Sequence, residues 1–198
     1  MRDFDNKESF ENTIVGLTRE GVSVTHRKIY ISAITLDTPL ELIEFIDYII
    51  DYGDPSKKDD PITIVIASYG GESYGLLGAI DVIRSAPVKI NTLGIGGCFS
   101  AGAWLLVAGT GTRSVYKHTS IMLHQTRGAQ QGTMQEMAHT TKHYKELQDI
   151  AESILVECSN KDKAFWKSNL KKEFYINAEK ALEYGLIDEI IKDKTTKV

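Results

Sequence analysis

The sequence has few cysteines, no long apolar run and no excess of charge of one sign, and each shortage removes a class of function. Its two cysteines, Cys98 and Cys158, lie far apart without zinc-ligand spacing, so free thiols are expected in place of a disulfide framework or a structural metal. The start, Met-Arg-Asp-Phe-Asp-Asn-Lys, has no apolar signal core, and no stretch approaches the ~18 apolar residues of a membrane span. A soluble, intracellular, cytoplasmic protein without a membrane partner is expected. The 23 basic side chains against 27 acidic ones give a net charge of −4, and no basic stripe stands out beyond a short pair such as Lys171-Lys172. That balance argues against nucleic acid as the main partner.

What is present is a chain of 198 residues without low-complexity tracts or linkers, long enough to bury a core as one domain over 1–198. Thr38-Pro39-Leu40-Glu41 offers a capping box with proline at the first helical position, and Gly53 ends the helix it predicts. Leu40, Ile43, Ile46, Ile49 and Ile50 recur at helical spacing on it. The β-branched run Ile62 to Ala67 reads as a strand covered on both faces, and Ser68-Tyr69-Gly70-Gly71 turns the chain into a helix over Tyr74 to Ser85. The unit then repeats. Val88 to Leu93 is the next strand, and Gly96 to Gly102 is a second glycine turn feeding an apolar helix that ends by Gly109. Short strands fit Ser114 to Tyr116 and Ile121 to His124, and a long helix fits Thr133 to Cys158. Asn177 can cap a helix over Ala178 to Tyr184, with a strand over Leu186 to Ile191 after Gly185. Alternating strands and helices make this an α/β domain.

Ser100 stands between a glycine-rich turn and a helix, where its hydroxyl can project while the first helical N–H groups stay unpaired. Acyl transfer needs such fixed donors, because charge develops on the carbonyl oxygen of the tetrahedral intermediate. Ala101 can supply one N–H and Gly71, which lets a substrate approach its backbone closely, the other. His124 closes an apolar strand at the mouth of the sheet, and only histidine has an unperturbed pKa suited to accepting a proton at neutral pH. Gly94-Ile95-Gly96 lacks the third glycine of a dinucleotide site, and no Gly-Lys-Ser/Thr follows either turn. His139 and His143 lie four apart on a helix, but Thr140 stands where a metallopeptidase carries glutamate. No metal or cofactor is expected.

Four segments together resemble a known family. Gly96 to Thr110 and Ser120 to Gln125 look like the serine and histidine signatures of the Clp protease proteolytic subunit (ClpP) family, in order and spacing. Ser68 to Gly71 is similar to that family's oxyanion turn, and Ala178 to Asp188 to its closing helix and strand, so the resemblance runs from about Arg27 to Ile191. It implies a crotonase-like superhelix of repeated β-α units and serine endopeptidase chemistry. Ser100 would attack a peptide carbonyl, His124 shuttle the proton, and Gly71 with Ala101 form the oxyanion hole. It also implies polypeptide substrates and a homo-oligomer of stacked heptameric rings fed by an ATP-driven (AAA+) unfoldase, with 133–158 as the handle helix between rings.

The chain departs from the family pattern in places. Tyr69 and Thr126 replace two usual prolines, and Glu173 stands where the resemblance places the triad aspartate. Glutamate can fill that role, as Ser-His-Glu hydrolases show. The segment 1–26 does not resemble the family's gating segment. Two rivals share the scaffold: a catalytically silent ring subunit, and a coenzyme A-binding crotonase-type enzyme with the same backbone oxyanion hole. Ser100 and His124 at the family's spacing favour the peptidase.

Overall fold

The computed structural model describes residues 21–192, so most of the divergent N-terminal segment lies outside the described residues. One eight-stranded sheet organises the domain in the order β1-β2-β3-β4-β5-β8, with β6 pairing β4 and β7. The strands are β1 (Val22–Ser23), β2 (Lys28–Ile31), β3 (Ile62–Ser68), β4 (Ile90–Phe99), β5 (Arg113–Tyr116), β6 (Ser120–Leu123), β7 (Phe174–Asn177) and β8 (Glu189–Ile191). The central pairings β2-β3, β3-β4, β4-β5, β4-β6 and β5-β8 are parallel, and β6-β7 is antiparallel. Parallel neighbours require crossovers. Helices α1 (Thr38–Tyr52), α2 (Ser73–Ser85) and α3 (Ala101–Val107) provide them between β2, β3, β4 and β5.

The β-branched run of β3 is buried at Ile62, Ile64, Val65 and Ile66, as a strand covered on both faces must be. Helix α1 places Leu42, Ile46 and Ile49 against the core, while Leu40 and Ile43 face out. The capping box expected at its start does not form. Thr38 is already helical, and its hydroxyl accepts the backbone N–H of Thr35 at 3.0 Å. A true capping box opens α4 (Met134–Glu157) instead: Thr133 Oγ1 accepts from the Glu136 N–H, and the Glu136 carboxylate accepts from the Thr133 N–H at 2.7 Å. The Thr133 N–H and hydroxyl, both donating to it, hold the Glu136 carboxyl below its usual range. The buried apolar residues of α4, Leu147, Ala151, Ile154 and Leu155, all lie in its C-terminal half, whereas Met134 at its start is 80% exposed. The first half is therefore an apolar-bearing projection.

The second glycine turn is not a loop. Strand β4 continues through Gly96 and Gly97 to Phe99, pairing β5 at Thr92 to Gly94 and β6 at Gly97 to Phe99. Gly96, with φ +65, lets the strand bend from one neighbour to the other, a conformation that costs glycine little. The strands β1 and β2, the helix α5 (Lys163–Asn169) and the strand β7 all lie where the sequence pattern predicts no element. The Asp162 carboxylate caps α5 by accepting the Phe165 N–H at 2.7 Å, and α5 buries Trp166 completely. That burial contributes roughly 3 kcal/mol. The final strand is also shorter than expected, because Leu186 and Ile187 fill the core from the turn after α6 (Ala178–Glu183), before β8 begins.

Candidate active site

Ser100 is the N-cap of α3 and carries φ +52 and ψ −130. A non-glycine residue in this region is strained by about 1–3 kcal/mol, so the surroundings must impose it. The Ser100 N–H donates to the Met122 carbonyl of β6 at 2.8 Å, while its own carbonyl accepts the Ala103 N–H at 2.8 Å. The backbone is thus fixed on both sides of a half-buried hydroxyl. Trp104 anchors α3 further by donating its indole N–H to the Ala151 carbonyl of α4 at 3.0 Å.

The turn after β3 meets this elbow directly. Ser68 Oγ accepts the Gly70 N–H at 3.0 Å, the Gly70 carbonyl accepts the Ile34 N–H at 3.1 Å, and the Ile34 carbonyl accepts the Glu72 N–H at 3.0 Å. A Cβ on Gly70 would stand 2.7 Å from the Ser100 Cβ, and one on Gly71 would stand 1.8 Å from the Ile34 carbonyl oxygen. The glycines are there because backbone occupies the space. Among the described residues the N–H groups of Gly71 and Ala101 donate to no protein acceptor, and both residues line the same cavity as Ser100. Two unpaired donors flanking a strained serine can receive an oxyanion.

His124 follows β6, and the Gln125 N–H donates to the Leu170 carbonyl at 3.0 Å, which sets the direction of the chain leaving the strand. His124 lines that cavity too, which measures about 180 Å³ and joins an apolar wall of Leu76, Leu77, Trp104, Leu147 and Ala151 to polar Ser73, Thr126 and Arg127. Its Nδ1 is hydrogen-bonded to the Gln125 carbonyl. A carbonyl only accepts, so Nδ1 carries the proton and Nε2 of the neutral ring is the free base. Ser100 and His124 line one cavity and share no hydrogen bond.

Glu173 does not line the cavity. The β6-β7 register pairs Leu123 with Phe174, which makes His124 and Glu173 the next opposed pair beyond the strands. The carboxylate accepts from Arg127 at 2.9 Å and from the Tyr175 hydroxyl at 3.0 Å. These hydrogen bonds, Arg127 first, hold its carboxyl below the usual range, and the charges of Arg127 and His124 add to them. The structure thus gathers Ser100, Ala101, Gly71 and His124, and keeps Glu173 beside the imidazole on other partners. Arg127 and Tyr175 were not legible as site residues. Tyr175 shares a strand face with Glu173 at a spacing of two, a signal available only once β7 is known.

Cys98, two residues before Ser100, is fully buried, and burial pushes its thiol up to about 12. It is not a rival nucleophile at neutral pH. His143 is engaged with the Tyr74 hydroxyl at 2.7 Å, and the described residues contain no cluster of three or more metal-ligating side chains. No helix among them is long and apolar enough to cross a membrane.

Comparison with known proteins identifies the family. The Clp protease family model matches residues 46–194. The ATP-dependent Clp protease proteolytic subunit 1 of Prochlorococcus marinus (strain MIT 9312) is 35% identical over 146 residues, covering 73% of this chain and 73% of that protein. The ATP-dependent Clp protease proteolytic subunit 2 of Chlamydia trachomatis serovar D is 36% identical over 146 residues, covering 73% and 70%. The corresponding subunit of Bacteroides thetaiotaomicron is 32% identical over 146 residues, covering 73% and 65%. These matches favour the peptidase over a silent subunit or a coenzyme A enzyme, and with three quarters of the sequence inside the family model the chain belongs to the Clp protease family of serine peptidases.

Proposed function

We propose that the chain cleaves polypeptides through Ser100, with His124 as general base, Gly71 and Ala101 as oxyanion donors and Glu173 as the carboxylate that completes the triad. The observation that carries this reading is the convergence of the strained Ser100, two unpaired N–H groups and His124 on one cavity. Ser100 Oγ attacks the scissile carbonyl as Nε2 of His124 takes its proton, and the oxyanion accepts from Gly71 and Ala101. The imidazolium then protonates the leaving amine, and a water activated by the same nitrogen releases the acyl group. For Glu173 to support the imidazolium, the ring must turn Nδ1 from the Gln125 carbonyl toward the carboxylate at the opposed position. The cavity beside Ser100, with its wall of Leu76, Leu77 and Trp104, receives the side chain preceding the scissile bond.

The chain works as a subunit of stacked heptameric rings that enclose these sites in the cytoplasm, with an AAA+ unfoldase supplying substrate. The exposed, apolar-bearing first half of α4 supports a ring-to-ring contact, since a lone domain leaves it uncovered. Labelling with a fluorophosphonate, mapped by peptide mass, tests the chemistry. Ser100 should be the modified residue and Ser100→Ala should abolish both labelling and peptide cleavage. Labelling that persists in that variant, or that tracks Cys98, refutes the assignment.

A further inference from the structure

A second groove adjoins the elbow, and it is aromatic. Tyr69 is 87% exposed, its ring centroid lies 5.7 Å from that of Phe99, and Phe99 meets Tyr175 edge-on at 6.0 Å. The groove has a volume of about 440 Å³ and is lined by Ala67, Ser68, Tyr69, Ile95, Gly97 and Phe99, without a charged side chain. Each aromatic is tied to a part of the site. Tyr69 precedes the Gly70-Gly71 turn, Phe99 precedes Ser100, and Tyr175 donates its hydroxyl to Glu173 at 3.0 Å.

We infer that Tyr69, Phe99 and Tyr175 form a binding shelf for an apolar or aromatic side chain on the leaving-group side of the scissile bond. The inference rests on the Ser100–His124 reading above. Two considerations fix the occupant as the substrate's own next residue. An extended peptide points successive side chains to opposite faces, so a residue seated in the Leu76–Trp104 cavity leaves its successor facing away from that cavity. The leaving amine must also take its proton from His124, which puts the following residue on the side of Glu173, just before β7, and of Tyr175 on that strand, the end of the aromatic row. Stacking and edge contacts with three rings favour a Phe, Tyr or Leu there over Gly, and the uncharged lining disfavours Asp or Glu.

Internally quenched peptides that differ only in the residue after the scissile bond, Phe, Leu, Gly or Asp, test this in direct competition with the assembled protein. Cleavage positions are read by mass spectrometry. A ratio of kcat/KM values cancels any difference in the fraction of active enzyme. The parent should prefer Phe or Leu over Gly about tenfold, the usual scale for an apolar pocket. Tyr69→Ala should bring the ratio to within about twofold, and Tyr69→Phe should retain it. A parent ratio near one, or a full ratio in Tyr69→Ala, overturns the shelf. A Tyr69→Ala protein of reduced mass by light scattering with its ratio intact also overturns it, because the face is then a contact between copies of this chain. Cleavage that persists in Ser100→Ala would refute the underlying catalytic reading, whereas Ser100-dependent cleavage with a flat ratio refutes the shelf alone.

Discussion

Replacing Gly71 by alanine tests the oxyanion hole at the point where the structure is least forgiving. The new Cβ would lie 1.8 Å from the Ile34 carbonyl oxygen, 2.7 Å from its carbon and 3.0 Å from its Cα, where ordinary contact begins at 3.4 Å. All three atoms are backbone, and Ile34 is 1% exposed, so no rotamer change relieves the clash. The turn must retreat by roughly 1.5 Å, carrying the Gly71 N–H with it; displacements of about 1 Å in a reacting geometry cost on the order of 100-fold. Loss of one oxyanion donor costs about 3–4 kcal/mol in the transition state, or 100- to 1,000-fold in kcat. The expected result is therefore a fall of at least about 100-fold in kcat on a small peptide ester, with KM much less affected. Breaking the Ile34–Gly71 bridge should cost about 1–3 kcal/mol of stability, short of unfolding an ordinary domain. Thermal unfolding, together with the rate of fluorophosphonate labelling, separates the two effects. A folded Gly71→Ala protein within about threefold of the parent kcat would refute the donor role of Gly71.

Glu173→Gln should lower peptide-ester turnover by orders of magnitude with assembly intact, since neutralising a triad carboxylate costs about 10,000-fold in the best-studied case; a value within about threefold of the parent makes Glu173 a surface charge. Glu173→Asp separates a site built for glutamate, where activity falls, from one that keeps aspartate geometry, where it holds or rises. Light scattering should give a mass many times 22.1 kDa, and a fully active monomer at micromolar concentration would exclude the ring. The Asp188 carboxyl, held below its usual range by hydrogen bonds from Arg113, contributes stability that is present above its unfolded pKa and lost as pH falls through the native one. Asp188→Asn should thus cost under ~1 kcal/mol in urea at neutral pH, with the difference vanishing in strong acid; an equal deficit at both pH values would show that charge is not the cause.

Elements whose signal is local were legible in the sequence. The β-branched run of β3, the glycine turn after it, the helix from Ser73 to Ser85 and the Asn177 cap, which accepts the Lys180 N–H at 2.9 Å, each follow from residue types acting on their own neighbourhood. Ser100, His124, Gly71 and Ala101 were legible for the same reason, as a serine and a histidine at the ends of recognisable elements and two N–H groups beside glycine turns. The tertiary structure decided what depends on distant partners. Gly96 and Gly97 read as a turn, yet β6 offers a ladder to Gly97 through Phe99, and that pairing draws them into β4. Thr38 has the chemistry of a cap, but Thr35 takes its hydroxyl. Short α5 and β7 carry too little periodicity to be seen, and exist because Trp166 and Ile176 are buried by the rest of the domain. The state of Glu173 is the sharpest case: the β6-β7 pairing brings it beside His124, and the same fold brings Arg127 and Tyr175, from 46 and 2 positions away, onto its two oxygens. A carboxylate binds the donors that reach it, and which donors reach it is a property of the folded chain.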